Sequence, residues 1–366
     1  MTLARELADT AGRPQVDKNL LINGGMNVWQ RSTSVTGITS GGYKTVDRWD
    51  LDIVNSFGTG AGTWTMAQST DVPANQGFAY STKIDMTATG DQVGGGTNLN
   101  LVKLDQYIEG QNVQHLLKGT SSAKALTLSF WVKSTKASNF VVTFTDPTNN
   151  RKISKEYTID TANTWEKKTI LIPGDTTGTI DNDNTSGFTV EFWLFAGLGY
   201  LTGTLATSWG SHANADLAAG MLGSLTSTSD DWSITGVQLE IGEAATDFQF
   251  EPYSVTENKC IRYFYAHQFG AQEFIYNESA TNTSKWVQVY FPVKMRASSG
   301  SMTLSSGMTG GGVNGLSGTV SNVTLQTLAP TKVSLRITMS TNSGTARAMY
   351  HCDTFNGDFA YFDTEL

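Results

Sequence analysis

Charge is scarce in this 366-residue chain. Only 16% of its side chains are Asp, Glu, Lys or Arg, against about 25% in ordinary globular domains. Proline is scarce too, at 7 residues, and Cys260 and Cys352 are the only cysteines. Two cysteines make no disulfide framework; whether they pair stays open, and buried thiols are the simpler expectation. No apolar run reaches the ~18 residues that a membrane helix needs, so no membrane insertion is expected. The opening TLARELADTAGRPQ lacks the apolar core of a secretory signal, and synthesis in a cytoplasm without a signal peptide is the expectation. Four histidines, His115, His212, His267 and His351, lie without metal-ligand spacing. A nucleophile elbow and a phosphate loop with lysine are both missing. No catalytic residue, resident metal or cofactor is therefore expected. Residues 169–258 hold twelve acids and no Lys or Arg, which argues against a nucleic-acid footprint. A solvated acidic face is the plain reading of that stretch.

What is present points to β-structure. Glycine reaches 37 residues, aromatics 10%, and there are nine tryptophans. Leu126, Leu128, Phe130 and Val132 alternate with Thr127, Ser129, Trp131 and Lys133. Phe188, Val190, Phe192 and Leu194 alternate with Thr189, Glu191, Trp193 and Phe195. Period-two patterns of this kind predict strands with one face in a core. Turn residues such as Asp181–Asn184 and Gly94–Gly96 separate them. Segments 19–31 and 232–253 bracket the region and predict first and last strands lying side by side. Residues 106–116 read as a turn or two of helix, and 202–228 as a long polar loop of the kind that is often functional. After Pro252 the strand pattern restarts at 260–268, 286–293, 319–325, 331–339, 346–352 and 358–366. Gly310–Gly312 and Gly315 mark a tight turn there. Leu3, Ala4, Leu7 and Ala8 sit at helical spacing before Gly12 and Pro14, in a segment too short to be a stable helix alone. The expected organisation is an anchoring or oligomerising segment at 1–18, a β-sandwich at 19–254, and a smaller β-sandwich-like domain at 255–366.

Several spaced motifs carry a resemblance. They are Asn19-Leu20-Leu21-Ile22-Asn23-Gly24, Trp29-Gln30-Arg31, Asp47-Arg48-Trp49, Leu128-Ser129-Phe130-Trp131-Val132-Lys133, Gly236-Val237-Gln238-Leu239-Glu240, Ala245-Thr246-Asp247-Phe248 and Glu251-Pro252-Tyr253. In this order they resemble the carbohydrate-binding-module-like jelly roll of tailed-phage virion proteins, over about residues 19–265. Cys260-Ile261-Arg262-Tyr263-Phe264-Tyr265 looks like the junction into a C-terminal tip, and the ending Asp363-Thr364-Glu365-Leu366 is similar too. The resemblance implies a tail fibre or similar virion appendage, commonly a homotrimer, that docks to a tail adaptor or nozzle, or to other virion proteins, through its N-terminus. It implies no particular ligand. Related sugar-binding jelly rolls often hold a structural calcium with two carboxylates. The comparable positions here are Asn27 and Thr235 or Gly236, so the expected ligands are missing.

Local candidates are weighed on their own chemistry. Asp181-Asn182-Asp183-Asn184 would need an acid at the twelfth position of a calcium loop, where Phe192 stands; a plain turn is expected. Asp230 and Asp231 likewise read as turn residues. Sugar rings stack on exposed Trp and Tyr while polar neighbours take the hydroxyls. The glycan-binding candidates are therefore Trp209, flanked by Tyr200 and His212, and in the tip Trp286 with Tyr290. Trp131 and Trp193, on the polar phase of their strands, are further candidates, and all of these compete with roles in a core or an interface. Leu3 and Leu7 are the anchoring candidates. The expected function is a tail fibre or receptor-binding protein of a virion, attaching to host surface glycans. A head fibre or capsid decoration protein is the alternative. A glycan-cleaving tailspike is the lesser one, since a carboxylate pair on facing strands stays open in so acidic a chain.

Overall fold

Alternation in the sequence becomes strands in a computed structural model that describes residues 18–92, 97–269, 274–277, 284–304, 320–339, 349–351 and 359–366. The chain divides into two compact units, Met1–Glu251 and Pro252–Leu366. Both are built of antiparallel sheets, so the protein is all-β. Leu3 and Leu7, Gly94–Gly96, Gly310–Gly312, Gly315 and Cys352 lie outside the described residues.

Two sheets make the first unit. A six-stranded sheet runs β1 (Ser34–Ile38), β4 (Thr63–Ser69), β5 (Ser81–Ala88), β13 (Asp231–Ile241), β7 (Leu126–Ser134), β10 (Glu166–Ile172). A seven-stranded sheet runs β12 (Gly210–Ser211), β9 (Arg151–Thr158), β8 (Asn139–Asp146), β11 (Ser186–Ala196), β6 (Leu101–Glu109), β3 (Asp50–Val54), β2 (Gly42–Tyr43). The last strand, β13, sits between β5 and β7, and the chain crosses repeatedly from one sheet to the other, as in a jelly roll. Leu128, Phe130 and Val132 of β7 and Ile234 and Leu239 of β13 share one core with Phe144 of β8 and Phe192 and Leu194 of β11. The Phe130 and Phe192 rings meet edge to face at 5.1 Å. Each such buried side chain contributes roughly 1.5–3 kcal/mol, so this common core holds the two sheets together. Phe195 departs from its predicted outward phase. A register shift between Trp193 and Phe195 turns it into the core, against Trp64.

Residues 19–24 lace the sandwich shut without forming a regular strand. Leu20 N–H donates to Leu239 O (2.8 Å) and Val237 N–H donates to Gly24 O (2.9 Å). The Asn19 side chain extends this ladder as a peptide would. Its Nδ2 donates to Val237 O (2.9 Å), and its Oδ1 accepts from Leu239 N–H (3.0 Å). On the other side, buried Gln106 of β6 exchanges two hydrogen bonds with the Ile22 backbone, at 2.6 and 2.9 Å. The segment is thus tied to both sheets. The next turn hangs on Asn23. Its side chain accepts from Asn27 and Val28 N–H and donates to Val28 and Asp47 carbonyls. Asp47 in turn accepts from Gln30 N–H and Nε2 and lies 3.6 Å from Arg31. Three of the spaced sequence motifs therefore meet in space.

Two regions differ from their sequence reading. Residues 106–109 belong to β6, and only the short 3₁₀ turns Gly110–Asn112 and Gln114–Leu116 follow. Residues 260–268 are not one strand: a helix, Tyr253–Ile261, precedes β14 (Phe264–Gln268). Pro252 fixes the backbone where this helix begins, and Thr256, Cys260 and Ile261 form its buried face.

In the second unit β14, β21 (Phe359–Asp363) and β17 (Ser301–Leu304) form a three-stranded sheet. β18 (Val320–Ala329), β19 (Lys332–Met339), β16 (Ser284–Tyr290), β15 (Phe274–Asn277) and β20 (Met349–His351) form a five-stranded one. Val287, Val289, Leu335 and Ile337 share a core with Phe362 and Phe291. No described helix is long and apolar enough to cross a membrane.

Gly24 tests the lacing. A Cβ there would lie 2.0 Å from Val237 O. Gly24→Ala is expected to lower unfolding stability by about 1–3 kcal/mol, the usual cost of overpacking. An unchanged denaturation midpoint would contradict the close approach.

Candidate functional site

The outer face of the six-stranded sheet carries a pocket of about 180 Å³. Its floor comes from the outward phase of β7, where Ser129 and Trp131 project away from the core. Trp131 pairs across the sheet with Lys167 of β10 and Thr235 of β13. Between Thr235 and Gln238 the pairing register shifts, and Gly236 takes a left-handed φ of +63°. A Cβ at Gly236 would come within 2.5 Å of the Phe78 ring. The glycine thus supplies both the bend and the space that let Phe78 lie down on the sheet.

Two segments complete the walls. Residues 73–80 bring Asn75, Gln76 and Phe78, and the Thr235 hydroxyl holds them by donating to Tyr80 O (2.8 Å). The tail after β13 brings Asp247, Phe248 and Phe250. Buried Gln238 and Glu240 fasten this tail. Glu240 accepts from Thr246 N–H and Oγ1, both at 2.8 Å, while Gln238 Oε1 accepts from Gln249 N–H (2.8 Å). The three phenylalanines touch one another, with centroids 5.0–5.2 Å apart. Phe250 is 53% exposed. An aromatic floor, a phenylalanine wall and a rim of amide, ammonium and carboxylate groups can take a small amphipathic ring, apolar face down and polar edges to the rim.

The sequence candidates scatter. Tyr200 is only 7% exposed. It packs against Trp193 at 5.0 Å, beneath Leu217, Ala218 and Met221. The stretch read as a polar loop folds back over the seven-stranded sheet and buries both aromatics, so neither ring is open for stacking. Trp209 is half-buried. Its indole N–H donates to Pro173 O (2.8 Å), its ring meets Phe188, and the Lys118 ammonium lies 5.8 Å over it. Lys118 pairs with Asp146 and Asp175, and Asp175 also takes two hydrogen bonds from Arg151. Trp209 therefore caps an ion network. His212 is half-buried and bonded to Asn214 (2.6 Å); burial, then the nearby Lys152 charge, lowers its pKa. Trp286 and Tyr290 do share one face of β16. Tyr290 is 67% exposed, with its hydroxyl on Gln288 and Lys332 5.9 Å over its ring. Of the tryptophans, the sequence pointed correctly to the outward phase of Trp131. It did not foresee Phe78, which lies more than 150 residues from Phe248 and Phe250. The available signal was the pair of phenylalanines just past the closing strand. Among the described residues no group of three His, Cys, Asp or Glu is placed to hold a metal ion.

The outer face of the seven-stranded sheet is committed to its own charges. Lys103 Nζ lies 3.0 Å from Asp105 and Glu191 and 3.3 Å from Asp52, with Lys152 3.9 Å from Glu191. Burial, and then the neighbouring acids, drive the Asp105 pKa well up despite Lys103. Burial pushes Glu191 up as well, but Lys103, Lys152 and the Thr145 hydroxyl outweigh it and hold Glu191 below its ordinary value.

No family model and no curated protein matches the chain. Among solved structures, a tailspike protein 4 enzymatically active domain of bacteriophage CBA120 is 14% identical, with a TM-score of 0.33; the match covers 62% of this chain and 22% of that one. TmCBM61 in complex with β-1,4-galactotriose is 13% identical (TM-score 0.29), covering 62% of this chain and 100% of that one. The family 11 carbohydrate-binding module of a cellulosomal cellulase of Clostridium thermocellum is 14% identical (TM-score 0.28), covering 56% and 97%. The chain thus spans about a fifth of the tailspike chain. Likeness at this level carries nothing about ligand or role.

Of the three carboxylates on Lys103, Glu191 and Asp105 have opposite signs in their effect on stability. Glu191, depressed in the fold, contributes stability above its unfolded pKa that is lost as pH falls through the folded value. Asp105, raised in the fold, costs stability increasingly as pH climbs from its unfolded pKa to its folded one. At pH 7, Glu191→Gln is expected to lower the denaturation midpoint, and Asp105→Asn to leave it unchanged or raise it. A large loss for Asp105→Asn would overturn this assignment.

Proposed function

We propose that this chain is a structural virion protein of a tailed phage, a tail-fibre-like receptor-binding appendage that holds host surface glycans in the Trp131 pocket. The observation that carries the glycan part is that pocket: a half-exposed tryptophan on a sheet face, opposed by phenylalanines and rimmed by polar side chains. Asp247 is the one carboxylate lining it. The aromatic and amide groups around it support binding as the chemistry of the pocket. The ordered motifs from Asn19 to Tyr253 support the virion part. In this reading residues 1–18, with Leu3 and Leu7, dock to the tail adaptor or another virion protein. The chain assembles as a homotrimer and works in the virion. Three weak pockets on one appendage gain avidity, about 10²–10⁴-fold over one where geometry allows joint engagement.

Two measurements test this. Trp131→Ala should weaken binding to host surface polysaccharide about tenfold or more, because covering an aromatic face is worth about 1.5–3 kcal/mol. Unaltered binding by this folded variant would remove the pocket from the account. Gold-antibody labelling of intact particles should mark the tail. Label on the head would favour a head fibre or decoration protein, and unlabelled particles would sink the virion reading.

A further inference from the structure

We propose that the Trp131 pocket selects a sugar carrying an acetamido group, with the acetyl methyl seated against the phenylalanine corner. This inference rests on the glycan-binding reading of the same pocket and narrows it. Size comes first. About 180 Å³ is well under the roughly 300–1,000 Å³ of pockets for drug-sized ligands, so the site takes one sugar unit and not a length of chain.

The two apolar surfaces differ in kind. Trp131 offers a flat ring on the sheet. Phe78, Phe248 and Phe250 are inclined to one another by 39–75°, so they present a corner of mixed faces and edges, not a second plate. An unsubstituted hexose with its C–H face on Trp131 would turn hydroxyls toward that corner and desolvate them without partners. A methyl group fills it without that loss.

The polar groups select which methyl. Asn75 and Gln76 each offer a donor and an acceptor, which suits an amide carbonyl and N–H beside the methyl. A 6-deoxy sugar brings a methyl with no amide. A sugar acid gains little, because Lys167 and Asp247 both line the pocket and their charges offset. The heavy exposure of Phe250 fits a residue whose ring is covered when ligand is bound.

The test is saturation-transfer NMR and titration of the full chain with N-acetylglucosamine and N-acetylgalactosamine, against glucose, galactose and fucose. The acetamido sugars should bind about fourfold or more tightly than their parent hexoses, the worth of one buried methyl group, with the acetyl methyl most strongly saturated. Phe250→Ala, a change at an exposed side chain, should erase that preference. Trp131→Ala should weaken binding of every sugar about tenfold or more. Equal binding of acetylated and parent sugars, or a preference for fucose, overturns the acetamido assignment while the glycan reading stands. No binding of any sugar overturns both.

Discussion

Everything on the outer face of the six-stranded sheet depends on the lacing of residues 19–24 between the two sheets. Asn19 replaces a missing strand residue beside Val237 and Leu239, and Gln106 grips Ile22 from the opposite sheet. Gly24 lets the two backbones touch. Backbone groups left unpaired at a buried strand are costly, so β13 keeps its position because this segment satisfies it. The same lacing reaches the pocket. Gln249 Oε1 accepts from Lys18 and Asn19 N–H, and Phe248 packs beside Gly25. The beginning of the unit thereby fixes the tail that carries Asp247, Phe248 and Phe250.

The two sheet faces show how the same fold spends its polar residues differently. On the seven-stranded side Lys103, Asp52, Asp105 and Glu191 answer one another, and Trp193 and Tyr200 disappear under Leu217, Ala218 and Met221. Buried charges of this kind are costly to strip from water and are tolerated only when paired, so they tie that face to structure. On the six-stranded side the buried polar residues Gln238 and Glu240 turn to the chain's own tail. That leaves Trp131 and the exposed Phe250 open to solvent, backed by buried Phe78, with Lys167 and Asp247 at the rim.

Much of the fold was legible because it is periodic. The alternation in β7 and β11 placed Phe130, Val132, Phe188 and Phe192 in the core and Trp131 outside it. Phe195 was misplaced because one register shift reverses the facing of the residues beyond it. The helix Tyr253–Ile261 was missed because it is short, without a capping side chain, and shows the core Thr256, Cys260 and Ile261, a faint apolar signal. Tyr200 and Trp209 lie deeper than the sequence suggests for a different reason. Small polar residues around them suggested an open loop, whereas the burial comes from where that stretch folds back. The pocket itself was not legible, since Trp131, Phe78 and Phe250 are brought together only by sheet order and by a glycine at the bend.

The most direct measurement is a crystal structure of the chain soaked with oligosaccharide from the host surface. The account predicts a sugar ring stacked on Trp131, with Phe250 closing on one side and Asn75 or Gln76 within hydrogen-bond distance. Sugar bound instead on the Trp286 and Tyr290 face or on the outer face of the seven-stranded sheet, with the Trp131 pocket empty, would contradict it.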